Sequence, residues 1–259
     1  MSDLLINTDG AIFTLTLNRP DKHNAFDDAL IQKMQDAIDE AIVLPDIRII
    51  VLKAMGKHFS AGADLSWMQK MANFSEQQNE ADAMALAKLM FTLHASPKPT
   101  IAIVQGSAYG GGAGLVAACD MAIGADNAEF CFSEVKLGLI PAVISPHVIN
   151  AIGRRAALYY FTTAAKINAD EALRLNLINQ KVSLADLNSA EYALCKQLLN
   201  NAPGAITESK ALVETVSLSP ITADILDYTA KAIAKRRVSS EGQRGLKAFL
   251  AKLPIQWNA

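Results

Sequence analysis

Apolar positions along this chain change their period several times, and each change marks an element. Near the N-terminus two β-rich runs, residues 4–7 and 11–17, flank Thr8-Asp9-Gly10, and an Asp-Gly pair between such runs predicts a hairpin. The period then becomes helical. Leu30, Ile31, Met34, Ile38 and Ile42 recur at spacings of three and four, and Asp27 stands where an N-cap is needed. Residues 49–52 and 101–104 are short continuous apolar runs behind Pro45 and Pro99, the mark of strands covered on both faces. Between them Ala83, Leu86, Ala87, Met90 and Leu93 form one stripe of a helix over residues 76–93, which leaves 61–74 as an irregular loop with a helical turn. Loops of that length are often functional.

From Gly106 a glycine cluster leads into a helix expected at 115–119, then strands near 121–124 and 129–132, then helices to the C-terminus with periodic stretches at 189–200, 203–215 and 223–237. The alternation of strand and helix predicts an α/β protein with parallel pairing and right-handed crossovers. No internal repeat or low-complexity segment is visible. A soft boundary near residues 200–204 separates a core of residues 1–200 from a helical region, 201–259.

Composition narrows the classes. With 259 residues and 51% apolar positions the chain can bury a large core. A formal net charge of −2 gives no field to attract nucleic acid or an anionic membrane, so an anionic ligand must be met by local groups. The longest apolar stretch, 137–152, is broken by Pro141, Pro146 and His147, and no membrane span is expected. The first residues show neither a secretory signal nor a transit peptide, so a cytoplasmic location is expected. Cys119, Cys131 and Cys195 show no Cys-x-x-Cys spacing and suit reduced, buried thiols. His23, His58, His94 and His147 show no metal-ligand spacing, and no metal is expected.

Three segments carry candidate chemistry. His58-Phe59-Ser60-Ala61-Gly62-Ala63-Asp64 puts small residues at a strand exit, where backbone N–H groups can approach a developing oxyanion; a tight surface turn would have the same composition. Five glycines, Gly106, Gly110, Gly111, Gly112 and Gly114, gather ahead of a helix, which suits either an anion at the positive end of the helix dipole or close helix–strand packing. The segment matches neither the Walker P-loop nor the dinucleotide fingerprint. Glu134 follows an apolar, aromatic strand; it is either a partly desolvated acid–base group or a solvated strand-end glutamate.

Together these segments resemble the crotonase (enoyl-CoA hydratase/isomerase) superfamily. The resemblance extends to Asn18-Arg19-Pro20-Asp21-Lys22-His23-Asn24-Ala25, to Ala169-Asp170-Glu171-Ala172 with Leu175-Asn176-Leu177-Ile178, and to Ala248-Phe249-Leu250-Ala251-Lys252, and so covers the whole chain. It implies a spiral of β-β-α units with a C-terminal helical region that builds trimers, often stacked into hexamers. It also implies an acyl-CoA thioester as substrate, with coenzyme A part of that substrate and no further cofactor. The oxyanion-hole donors would be the N–H groups of Ala63 and Gly111. Coenzyme A would be held by Lys22, Ala25, Ala61 and Asp64, and Lys252 would reach the coenzyme of a neighbouring subunit.

Family hydratases of the best-known kind carry two glutamates across the substrate double bond. The first position is Gly114 here, and the second corresponds to Glu134. Longer stretches, Phe59 to Met68, Tyr109 to Asp126 and Gly138 to Pro146, resemble methylglutaconyl-CoA and isohexenylglutaconyl-CoA hydratases. In that reading the substrate's second carboxylate, or groups near Ser145 and His147, positions the water. His147 is equally readable as a structural helix-start residue. Tyr109 is placed in the acyl pocket with Trp67 and Met68, which would otherwise be loop anchors. A Δ3,Δ2-enoyl-CoA isomerase using one glutamate is the nearest alternative. A non-catalytic assembly or RNA-associated member is the alternative of another class, against which the charge and Glu134 both speak.

Overall fold

The continuous apolar runs become the middle strands of a sheet, in a computed structural model that describes residues 2–217 and 219–257. Strands β1 (Leu4–Asp9) and β2 (Ile12–Leu17) pair antiparallel as the hairpin. After α1 (Asp28–Val43) comes β3 (Ile49–Ala54), and after α2 (Leu65–Met71) and α3 (Glu76–Ala95) comes β4 (Thr100–Val104). Then follow β5 (Ala108–Tyr109), α4 (Gly111–Ala118), β6 (Met121–Ala125), β7 (Glu129–Cys131), α5 (Ser145–Thr163), β8 (Ile167–Asn168), α6 (Ala169–Arg174), β9 (Gln180–Val182) and α7 (Leu187–Leu199). Helices α8 (Pro203–Ser217), α9 (Ala223–Val238) and α10 (Ser240–Leu250) complete the chain.

The main sheet has the order β1-β2-β3-β4-β6-β9, parallel from β2 onward; β5, β7 and β8 form a second, three-stranded sheet. Strand alternation sorts the apolar run of β3 onto two faces. Ile50 and Leu52 join the larger core with α1 and α3, whereas Ile49 and Val51 join Ile101, Ile103 and Ile123 under Leu187, Ala190 and Cys195 of α7. Caps start the helices where polar side chains allow. Asp27 accepts from Leu30 N, Ser75 and Gln78 close a capping box, and Asn168 accepts from Glu171 N.

Several expectations shift. The loop at 61–74 contains a two-turn helix, α2, nucleated by Asp64 at its N-cap. Gly111, Gly112 and Gly114 do not precede α4 but form its first turn, with only Gly106 and Gly110 ahead of it. The stretch after residue 132 is not all helix, since β8 and β9 close the two sheets. On α3 the fully buried side chains are Leu89, Met90 and Leu93, with Ala83, Leu86 and Ala87 only half-buried. Cys131 and Cys195 are buried and Cys119 half-buried, all as free thiols. No helix among the described residues is long and apolar enough to cross a membrane.

Candidate active site

β3 delivers the chain to His58, and beyond it nearly every backbone N–H is claimed. Phe59 N and Ser60 N donate to Ser107 O at 3.0 and 3.1 Å, Ala61 N to His23 O at 2.9 Å, Gly62 N to Ser60 Oγ at 3.2 Å and Asp64 N to Phe26 O at 2.9 Å. Among the described residues Ala63 N alone in this stretch has no acceptor. Its neighbours on both sides are bonded to Phe26, through Phe26 N to Gly62 O and Asp64 N to Phe26 O, so the Ala63 N–H is turned away from that pairing.

The glycine segment is zipped against this loop. Tyr109 N donates to Ser60 O at 2.9 Å, and a Cβ at Gly62, whose φ is +88°, would stand 2.9 Å from Tyr109 O and 3.7 Å from Gly111 N. A Cβ at Gly111 would strike the Phe26 ring at 2.5 Å, and one at Gly112 would meet Ser60 O at 2.7 Å. Absence of side chains is therefore what brings the two loops together. Gly111 N is the first N–H of α4 and has no acceptor among the described residues, so it adds the positive end of the helix to the Ala63 N–H.

Glu134 reaches the same place from the other sheet. Gly110 N donates to Cys131 O at 2.8 Å, which ties the glycine segment to β7, and a Cβ at Gly110 would lie 3.2 Å from Glu134 Oε1. Glu134 Oε2 is buried with no hydrogen-bond partner, and burial pushes the carboxyl pKa upward. Two unsatisfied N–H groups and an unsatisfied carboxylate oxygen thus flank the turn at Gly110. Such a set can bind a carbonyl oxygen and exchange a proton with a neighbouring atom.

A sequence profile for enoyl-CoA hydratase/isomerase matches residues 7–259. The chain belongs to that family. A Legionella pneumophila structure described under the same enoyl-CoA hydratase/isomerase (crotonase) heading is 53% identical, covers 100% of both chains and superposes with a TM-score of 0.96. An enoyl-CoA hydratase from Shewanella pealeana is 45% identical, covers 99% of this chain and 96% of its own, with a TM-score of 0.95. A hydroxycinnamoyl-CoA hydratase-lyase of Pseudomonas fluorescens is 32% identical over 247 residues, 93% of this chain and 89% of that protein. The fold is accordingly the crotonase fold with its C-terminal helical region.

Within this family frame the remaining expected residues fall unevenly. Lys22 Nζ rests on Asp64 Oδ2 at 3.1 Å with its side chain 48% exposed, and Ala25 O accepts from Arg19 at 2.9 Å. Asp64 itself is buried. Bonds from Ser66 and then Lys22 hold its carboxyl far below the usual carboxylate range. Trp67 is an anchor: its indole N–H donates to Asp82 at 3.1 Å and its ring stands 6.3 Å from that of Phe26, while Met68 is half-buried. Tyr109 does not offer a free hydroxyl to an acyl chain, because that hydroxyl is bonded to Glu129, which also pairs with Lys166 at 2.9 Å. Ser145 Oγ donates to Ala142 O at 2.8 Å. The His147 ring packs edge-on against His94, 5.4 Å away, and His94 lies 3.3 Å from Glu214 of α8; this favours the structural reading of His147. Lys252 follows α10 with φ of +56° and an exposed side chain. No group of three or more His, Cys, Asp or Glu among the described residues is arranged to hold a metal.

Gly114 shows why its position is bare. A Cβ there would lie 2.3 Å from Ile144 Cγ2 and 2.8 Å from Met90 Cε, so apolar side chains from the N-cap of α5 and from α3 fill the space a first glutamate would need. Neither Ile144 nor the buried Arg19 could be singled out from spacing. Ile144 meets Gly114 and Arg19 meets Asp64 only across long stretches of chain, 45 positions for the second pair, although the Asn-Arg-Pro triplet stands out in the sequence.

Proposed function

We infer that this protein adds water across the double bond of a 2-enoyl-CoA thioester. The observation that carries the reading is the convergence of the unclaimed Ala63 and Gly111 N–H groups with the unpartnered Glu134 carboxylate. The thioester carbonyl oxygen would accept from both N–H groups, which favour the negative charge it gains as an enolate. A water oxygen bonds to the β-carbon, the π-electron pair moves toward the carbonyl oxygen, and the water's spare proton passes to Glu134. Glu134 then returns that proton to the α-carbon, collapsing the enolate and leaving a hydroxyl on the β-carbon. A raised carboxyl pKa suits a group that must both take and give a proton near neutral pH.

For the substrate, the reading favours a branched, carboxylated enoyl-CoA such as 3-methylglutaconyl-CoA. Its support is the similarity of the segments around Trp67, Gly114 and Ile144 to hydratases of that kind, together with the absence of a second carboxylate at Gly114. The substrate's own carboxylate then orients the water. Lys22, Ala25, Ala61 and Asp64 line the coenzyme side, and Lys252 extends to the coenzyme of a neighbour. Helices α8, α9 and α10 bury none of their own residues fully, while Leu226, Ile233, Phe249 and Leu250 are exposed. That apolar surface supports a homotrimer, or a hexamer of two trimers.

A second reading has one observation in its favour. With Ile144 filling the space at Gly114, Glu134 is the single carboxylate at this turn among the described residues, which also suits moving a double bond from the 3- to the 2-position. Purified protein given 3-methylglutaconyl-CoA, crotonyl-CoA and a 3-enoyl-CoA, with products separated by mass spectrometry, decides between them. Gain of one water on the branched substrate, lost in Glu134→Gln, is expected. Conversion of the 3-enoyl thioester at unchanged mass, without hydration, would give the site to the isomerase.

A further inference from the structure

The oxyanion-hole reading rests on the direction of a single N–H, that of Ala63, and the structure contains a device that fixes it. Arg19 is buried, its side chain only 7% exposed, at the start of the short 3-10 turn Pro20–Lys22. Its guanidinium forks between three acceptors: Nη1 donates to Ala25 O at 2.9 Å and to Asp27 Oδ2 at 3.0 Å, and Nη2 donates to Asp64 Oδ2 at 2.9 Å. Those acceptors lie on the two segments whose backbone pairing brackets Ala63, namely residues 25–27 and residue 64.

The cross-link is reinforced at each end. Asp27 caps α1 through Leu30 N, and Asp64 caps α2 through Ser66 N at 2.8 Å. Arg19 N donates to Asn24 Oδ1 at 2.8 Å, and the Asn24 amide donates to Met55 O and His58 O, both at 2.8 Å, where β3 hands over to the loop. Arg19 therefore joins two helix starts and the strand exit around one peptide N–H. A planar fork with fixed donors holds such an arrangement in register; a point-charge ammonium cannot meet three acceptors in the same way.

We propose that Arg19, through Asp64 and Asp27, is a positioning residue that aims the Ala63 N–H at the substrate carbonyl. This inference rests on the hydratase reading only in requiring that Ala63 N bind the thioester oxygen, and it applies equally to the isomerase. The expected consequence of losing the fork is a poorly aimed donor with the coenzyme contacts largely kept. Removing an oxyanion donor outright costs roughly 10²- to 10³-fold in turnover, so misaiming one should cost on the order of 10- to 100-fold.

The test combines kinetics with a direct view of the carbonyl. In Arg19→Lys, kcat should fall by on the order of 10- to 100-fold while KM changes by less than about threefold. Crotonyl-CoA labelled with carbon-13 at the thioester carbonyl is then bound to Glu134→Gln, which holds it without turnover, and its C=O stretch is recorded by infrared difference spectroscopy. A red shift from the free thioester is expected in Glu134→Gln, and a smaller one in Glu134→Gln combined with Arg19→Lys. If Arg19→Lys does not fold, Asp27→Asn, which keeps the oxygen that caps α1 but loses the carboxylate oxygen that meets Arg19, replaces it in both measurements. A full red shift and unchanged kcat in folded variants would overturn the positioning role alone. No red shift even in Glu134→Gln would remove the oxyanion hole itself, and the inference with it.

Discussion

Two carboxylates, the buried Asp64 and the half-buried Glu134 with its buried Oε2, are treated in opposite ways. Asp64 is saturated with donors, from Arg19, Lys22, Ser66 N and the Ser66 hydroxyl, and its carboxyl is held well below the normal range. Glu134 has one oxygen without any partner, and burial drives its carboxyl pKa up. The same functional group thus becomes a fixed charge in one loop and an exchangeable proton site in the other. Environment, not residue type, assigns the task.

Exchanging the tasks should be costly on the Glu134 side in turnover. Glu134→Gln keeps the shape but removes proton transfer, and product formation should drop by about 10²- to 10⁴-fold in a protein that remains folded. The Asp64 side should fail in stability instead. Asp64→Leu leaves the Arg19 guanidinium buried without one of its partners and should cost about 3–5 kcal/mol, read from the shift in urea midpoint. Glu134→Leu strands no buried guanidinium and should cost far less in the same assay, which sharpens the contrast.

Supplying a second carboxylate beside Glu134 meets a packing barrier. Gly114→Glu drives a side chain into Ile144 and Met90 and should destabilise by about 1–3 kcal/mol or more, with no gain in hydration of crotonyl-CoA. Adding Ile144→Ala should restore part of that stability, as measured by thermal unfolding.

The smallest effect is a pair of opposed pH dependences. Asp64 has a folded pKa below its unfolded value of about 3.9, so its stabilisation is present above that value and is lost as pH falls toward the folded pKa. Glu134 has a folded pKa above its unfolded value of about 4.3, so ionisation destabilises the fold as pH rises beyond that value. The melting temperature of Asp64→Asn should lie below wild type at neutral pH and approach it in acid. That of Glu134→Gln should lie slightly above wild type at neutral pH and converge with it below about pH 4.3.

What could be read along the chain was local. The hairpin, α1 with its Asp27 cap, and the doubly covered β3 and β4 all declare themselves by period and apolar runs. The two loops were likewise visible as clusters of small residues, and Glu134 by its place after an aromatic strand. Helix α4 starts earlier than its sequence suggests because Gly111, Gly112 and Gly114 have poor helix propensity, whereas contacts to Phe26, Ser60 and Ile144 demand residues without side chains there. Strands β8 and β9, two and three residues long, are too short to show a period. The Arg19–Asp64 pair spans 45 positions, and Ile144 meets Gly114 only after the chain has passed through the second sheet, so neither contact leaves a local trace.

The missing burial in α8, α9 and α10 has a consequence for how this protein responds to dilution. Helices of 15, 16 and 11 residues with no fully buried side chain owe little to a core of their own, and isolated helices of that length are marginal in water. In the homotrimer proposed above their order depends on mass action: each association event that covers Leu226, Ile233 or Phe249 adds to it, and each dissociation subtracts. The spiral would keep slow amide exchange at any concentration, while the C-terminal helices would exchange faster as the solution is thinned. In that proposed assembly the melting temperature depends on molarity.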